Sequence, residues 1–521
     1  MITIRPNDKD WNYIANLTGD DSWRSGAMRG YFAKFENNQY IDAYDRFLNK
    51  LLGPIYKLWR RVVLLFDPRA VLDDGGHGFK GWAPTNLIDP FLVSTIAKED
   101  RPLFKVIVRA ALGVLHGKWS PIAWLKRQIL RTRIVPAIDF NDVNTRRANP
   151  EGVFLIPIGT QGKPDPDAEG QQGTGRRFGV REFLLTARRN HPDKLVIKTG
   201  AHVTRVLFEK QDEHDVPRAI GVECALGEHL YEASPEQKSA ADERVRYFAK
   251  KQGGEIILCG GAFNTPQLLM LSGIGEKEHL ASHGIHYLSG ADGNPLPTAP
   301  VIDLPGVGRN LQDRYEVTVV SELDNELKTL DGVSFEPGDK DDPARQQWLK
   351  EKTGLYSTNG GTLAVIRVSE PAKAAGESVP DLFTFGAPAA FRGYYWNWSR
   401  ELFKPTLGAP AEERKIWSWV ILKAYTNNRN GRVRLRTASP FEAPEICFDS
   451  FNEKAEVEAE QIRKECEPFL KAGEPLPEEL ARRKEANDAI VAESRGDLAA
   501  LVDAVRFMRK VNAQNPGQFV R

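Results

Sequence analysis

The sequence predicts a mixed fold, α/β in one part and α+β in another. An apolar run at 255–259 leads into three small residues and then a helical stretch, which is how a strand, a tight turn and a helix succeed one another in an α/β layer. Residues 195–198, 202–208 and 218–224 are short runs rich in Val, Ile and Phe between turn-prone residues. Similar runs recur near 315–322, 362–368, 381–386, 416–425 and 431–436, the pattern of an antiparallel sheet. Elsewhere apolar residues recur at threes and fours, in 41–66 and along 104–115, and the chain from about 453 onward is charged and helical.

A chain of 521 residues can bury more than one core. With 41% hydrophobic and 27% charged residues its composition is that of an ordinary globular protein, and a net charge of +1 gives no reason to expect a nucleic-acid partner. Cys224, Cys259, Cys447 and Cys466 are far apart, so buried free thiols are expected, with neither a metal site nor a disulfide framework. No apolar run reaches membrane-spanning length, and the first five residues do not read as a signal peptide. The default location is cytoplasmic, on the understanding that a missing N-terminus would carry away any targeting segment.

Two glycine patterns invite a dinucleotide reading. Gly76-His77-Gly78-Phe79-Lys80-Gly81 matches G-x-G-x-x-G, but neither a strand before it nor a helix after it is in place, so a flexible loop is expected. Gly306-Val307-Gly308-Arg309-Asn310-Leu311 has leucine at the third glycine position. The polar segment 228–253 reads as a spacer, and His279, His283 and His286 as surface histidines.

The most informative segment runs from Gly260 to Gly275. Small residues at Gly260, Gly261 and Ala262 let the backbone approach a planar ligand. Thr265 suits a helix cap, Pro266 the first helical position and Gly273 the helix end. Ala262, Thr265-Pro266, Leu268-Leu269 and Ser272-Gly273-Ile274-Gly275 resemble the second signature of the GMC (glucose-methanol-choline) FAD-dependent oxidoreductases at every constrained position. Asp10-Trp11, Trp23 and the stretch from Tyr31 to Glu36 are similar to the segment just after that family's first signature. The runs 195–208 and 218–222, the segment from Leu304 to Asp313 (with Arg314 where histidine is usual) and Asn430-Gly431-Arg432-Val433-Arg434-Leu435 agree in the same order. Only 41–150 resembles the family poorly.

The resemblance implies an incomplete FAD-binding, Rossmann-like domain and a substrate domain built on an antiparallel sheet and helices. The expected segments are 1–40 in the flavin domain, 41–150 as a helical insertion or substrate cap, 151–315 as a central FAD-binding piece, 316–450 as the substrate-binding domain and 451–521 as the helical start of the C-terminal domain. It implies FAD as cofactor and oxidation of a CH–OH group by hydride transfer to flavin. Val203 would place its backbone at the adenine, with Gly260, Gly261, Ala262 and Thr265 near the cofactor. The family's phosphate-binding turn and first signature correspond to sequence before Met1. Its catalytic His pair corresponds to sequence after Arg521, since all nine histidines lie between His77 and His286. No catalytic residue is therefore assigned. The isolated chain is expected to be inactive and to retain FAD poorly, as a truncated product or as one half that needs a complementing chain.

Two further features bear on partners. Residues 101–133 carry eight Lys or Arg and no acid, which suits helices packed with their cations in solvent or, alternatively, resting on an anionic membrane surface. Phe383, Phe385, Phe391, Tyr394, Tyr395, Trp396 and Trp398 suit either core packing or the wall of a cavity for an apolar alcohol.

Overall fold

The computed structural model of the chain describes residues 2–41, 76–87, 96, 98, 100–105, 139–143, 151–161, 175–211, 214–239, 244–336, 338–352, 354–357, 363–404, 406–407 and 415–514. They form two compact units, Met1–Leu195 with Tyr315–Tyr425 and Ala499–Arg521, and Val196–Arg314 with Thr426–Leu498. Most of the expected insertion and of the basic stretch, 106–133 included, lies outside the described residues. Among those described, no helix is long and apolar enough to cross a membrane.

The first unit is organised by a five-stranded antiparallel sheet in the order Glu316–Glu322, Ile416–Lys423, Leu382–Ala387, Leu363–Arg367 and Gly152–Leu155. Ile416–Lys423 is an apolar run with few breaks because it is covered on both faces. On one face the Trp419 indole N–H donates to Asn512 Oδ1 at 2.8 Å, and the Arg367 guanidinium lies 3.8 Å from the centre of the Phe507 ring. On the other, Phe154, Ala364 and Ile366 form a core flanked by Phe140, Phe383 and Phe385. Four of the expected β segments are thus strands of one sheet. The fifth strand, 152–155, was expected in the flavin piece. It joins here because Val153 pairs with Val365 and Phe154 enters the core, a pairing across some two hundred residues that leaves no local signal. Residues 1–40 also belong to this unit.

The supposed flexible loop at 76–81 is instead the centre of a buried ionic knot. The His77 ring has Nδ1 3.0 Å from Glu36 Oε2 and Nε2 3.0 Å from Asp139 Oδ2, all three side chains being almost fully buried. Arg5 completes the charge balance through a close ion pair with Glu36 and a 2.9 Å bond to the Gly76 carbonyl. The Tyr40 hydroxyl donates to Asp139, and Thr85 Oγ1 and the Gly78 N–H donate to Glu36. The three glycines of the look-alike motif serve this packing. Gly76 turns at φ +79°, while a Cβ on Gly78 would sit 1.8 Å from the Ala33 carbonyl oxygen and one on Gly81 2.1 Å from the Phe35 carbonyl. They let the loop press onto the end of the helix Ser25–Phe35.

The second unit contains a three-stranded antiparallel sheet, Ala201–Gln211, His214–Leu226 and Arg244–Phe248 in that order. The expected spacer therefore contributes a strand, whose charged residues sit on an edge where solvation costs little. Two expected strands, 195–198 and 255–259, carry no strand assignment. Ile256 and Leu258 pack toward Val206, Phe208, Leu288 and Ala299, but Ile257 is 76% exposed and Val196 74%. Alternation buries one face of each run, and without a ladder partner the other stays open.

The knot sets a pH window. Burial opposes the His77 charge, but Asp139 and Glu36 outweigh it and raise the group from its ordinary 6.5 to about 10. That stabilisation is complete below 6.5 and is lost as pH rises through about 10. Glu36 and Asp139 are also opposed by burial, yet His77 and its neighbours hold both below their ordinary values, so their contribution is lost as pH falls through the lowered values. Urea denaturation should show His77→Gln losing about 3–5 kcal/mol at pH 7, through carboxylates left buried without their cation. The gap to wild type should shrink toward pH 10; a gap unchanged with pH would rule out a charged His77.

Candidate cofactor site

The turn at 260–262 is built on a pinned helix. Gly261–Leu271 is helical, with Gly260 before it and Gly273 after it in the left-handed region at φ +95°. Its far end is tied to the sheet by Ser272, fully buried, whose hydroxyl donates to the Leu268 carbonyl at 2.6 Å and accepts the Val206 N–H at 2.9 Å. Ala201–Gln211 is an edge strand, so its outward N–H at Val206 has no ladder partner, and the serine supplies one.

Thr265 was expected to cap this helix and lies inside it. The helix begins five residues earlier because Gly260 and Gly261 make the turn themselves, Gly261 at φ +82°. Pro266 is then a helix-interior proline that forgoes one intrahelical bond. A Cβ on Gly260 would sit 3.1 Å from the Thr265 N and 3.2 Å from its Oγ1, so the turn is folded back on Thr265. Nothing lies within 4 Å of a Cβ on Gly261, and Gly260, Gly261, Ala262 and Phe263 are exposed. Phe263 makes an edge contact with Phe448 at 6.1 Å between centroids. Bare backbone, unpaired first-turn N–H groups and open space fit the approach of a flat or phosphorylated group.

Val203 is a half-buried residue of the strand Ala201–Gln211, paired with Cys224 beside a register shift. Its neighbour His202 stacks on Tyr231 at 5.6 Å, and the Tyr231 hydroxyl donates to Gln267 Oε1 at 3.1 Å, which links this strand to the helix that begins at Gly261. Strand alternation turns the Val203 side chain away from that cluster, so only its backbone is available from that side. Tyr231 and Gln267 were not singled out from sequence; Gln267 lay in plain view inside the signature, whereas Tyr231 sits in the presumed spacer. His202 Nε2 is 2.8 Å from the Pro440 carbonyl oxygen. His279, expected at the surface, is buried with its Nε2 accepting the Leu435 N–H at 3.1 Å, because the helix Lys277–Ser282 turns that side inward.

A family model described as GMC oxidoreductase matches residues 162–316. The chain is 28% identical over 463 residues to an oxygen-dependent choline dehydrogenase of Staphylococcus epidermidis, covering 87% of this chain and 57% of that protein. It is also 28% identical over 359 residues to the chloroplastic fatty acid photodecarboxylase of Chlamydomonas reinhardtii, covering 66% of this chain and 45% of the relative. The chain thus spans about half the length of these relatives. Among solved structures, a formate oxidase of Aspergillus oryzae superposes with a TM-score of 0.55 at 19% identity, covering 94% of this chain and 70% of the other. A pyridoxine 4-oxidase gives 0.51 at 15%, covering 100% and 65%. At these identities the likeness is one of fold.

Two substitutions probe the turn and its anchor. Ser272→Ala should cost about 1–3 kcal/mol in chemical denaturation, because it leaves the Val206 N–H buried without a partner. Gly261→Ala should cost about 1–2 kcal/mol from backbone strain alone, since the space is open. A Gly261→Ala protein as stable as wild type would show that the left-handed turn is not held.

Proposed function

We propose, for a chain that belongs to the GMC oxidoreductase family, that it takes part in FAD-dependent oxidation of a CH–OH group. The observation that carries this reading is the exposed turn Gly260, Gly261 and Ala262 on a helix pinned by Ser272. FAD, when bound, would supply the hydride acceptor. The turn's part is to admit the cofactor close to bare backbone, and the part of Val203 is to offer its backbone to the adenine. Thr265 backs the turn from inside the helix.

The substrate we propose is an apolar alcohol. Phe383 and Phe385 share one face of the five-stranded sheet, and Phe391, Tyr394 and Trp398 contact one another edge-on with centroids 5.1–5.4 Å apart. Trp396, 89% exposed, stands outside that trio. Such surfaces reward hydrocarbon more than a polar polyol.

The finer reading is that these 521 residues hold FAD weakly and turn over no alcohol until a complementing chain joins them. Its support is the open apolar runs around Val196 and Ile257, together with histidines already engaged: His77 in the knot, His202 at Pro440 and His279 at Leu435. Purified chain mixed with FAD and gel-filtered should carry well under one flavin per protein. Adding a polypeptide with a phosphate-binding turn and a histidine-bearing tail should restore flavin and its bleaching by long-chain alcohols. Stoichiometric flavin reduced by alcohol in the lone chain would refute the need for a partner; a flavin-loaded pair inert to every alcohol would refute the oxidase reading itself.

A further inference from the structure

A cavity of about 630 Å³ in the second unit, separate from the 260–262 turn, is lined by four arginines. Its walls are the loop around Gly308 and the strand Arg432–Arg434, and their backbones interlock. The Val433 N–H donates to the Gly308 carbonyl at 2.6 Å, the Leu311 N–H donates to the Gly431 carbonyl at 2.9 Å, and a Cβ on either glycine would lie 2.2 Å from the facing carbonyl oxygen. The backbone that carries the arginines is thereby held in place.

Cations outnumber carboxylates in the cavity wall. Glu276 serves two arginines, Arg309 at 2.7 Å and Arg434 at 3.5 Å, while Glu445 lies 3.5 Å from Arg432. Arg309, Arg432 and Arg434 thus share two carboxylates in the lining. Arg432 and Arg434 are two apart on one strand and so point to the same side. His279 also lines the cavity, and because its Nε2 accepts the Leu435 N–H, its ring proton is on Nδ1.

We propose that this cavity binds a small phosphate ester, the dianionic phosphoryl group lying among Arg309, Arg432 and Arg434 and the organic remainder filling the rest. Planar guanidinium forks match phosphate oxygens in pairs, and a dianion answers the excess of positive charge. The volume falls in the range of about 300–1,000 Å³ typical of small-molecule sites, more than a bare phosphate ion needs.

The full chain is titrated calorimetrically with glycerol 3-phosphate, with glycerol, and with phosphatidylcholine vesicles with and without phosphatidate. Saturable binding of glycerol 3-phosphate but not glycerol is expected. The double variant R432Q/R434Q should weaken it about tenfold or more, on the scale of lost charge-assisted hydrogen bonds. R432K/R434K, which keeps the charge and so guards against a folding artefact, should fall between; Arg463→Gln, a loss of charge on an exposed helix, should leave binding unchanged. Burial and the neighbouring Arg434 hold His279 below its ordinary value, so a bound dianion should raise its titration in ¹⁵N spectra. Binding only to phosphatidate vesicles, with the same arginine dependence, would assign the phosphate to a lipid headgroup. Absence of saturable binding in every arm, an equal loss in Arg463→Gln, or a His279 titration unmoved by bound ligand would overturn the proposal.

Discussion

A protonated imidazole held 3.0 Å from each of two carboxylates, with all three side chains out of water, persists only when every charge is answered. Here Arg5 and His77 face Glu36 and Asp139, so the buried group is neutral as a set although none of its members is. The four residues come from segments far apart in the chain, and each supplies what another would otherwise lack. The knot also reaches the sheet. Asp139 bridges to Leu155, and the Phe140 ring meets Phe154 edge-on, next to the strand that closes the sheet's edge. The N-terminal helices, the glycine loop and that strand are held in one unit because desolvated charge tolerates no missing partner.

How much of this was legible depends on the range of the interactions. The strands 316–322, 363–367, 382–387 and 416–423 announced themselves through alternation or continuous apolarity, which are local properties. The end of the signature helix at Gly273 was legible because a left-handed residue there favours glycine. His77 was not, because a histidine in a glycine-rich loop looks the same whether it faces water or two carboxylates from 41 and 62 residues away. The strand 152–155 and the inward turn of His279 were hidden for the same reason. At Thr265 the competing signal lay in view, since Gly260 and Gly261 could make the turn before Thr-Pro was reached.

The candidate cofactor turn combines an exposed end with an immobile root. Ser272 satisfies a strand edge and a helix carbonyl with one hydroxyl, so the helix cannot slide along the strand without leaving a polar group unpaired. Tyr231 and Gln267 brace its middle. A site meant to meet a rigid ligand gains from this arrangement, because the ordering cost is met in folding rather than in binding.

Neither unit is written as one continuous stretch, and the first is completed by Ala499–Arg521. Trp419 and Arg367 must wait for Asn512 and Phe507, which follow them in the chain by 93 and 140 residues. During synthesis the tryptophan face of the sheet is therefore bare until those residues emerge, which is when chaperone cover matters most. A stop codon that spared the five strands of this sheet but removed Phe507 and Asn512 would leave that face uncovered for good, and quality control would read the product as unfolded.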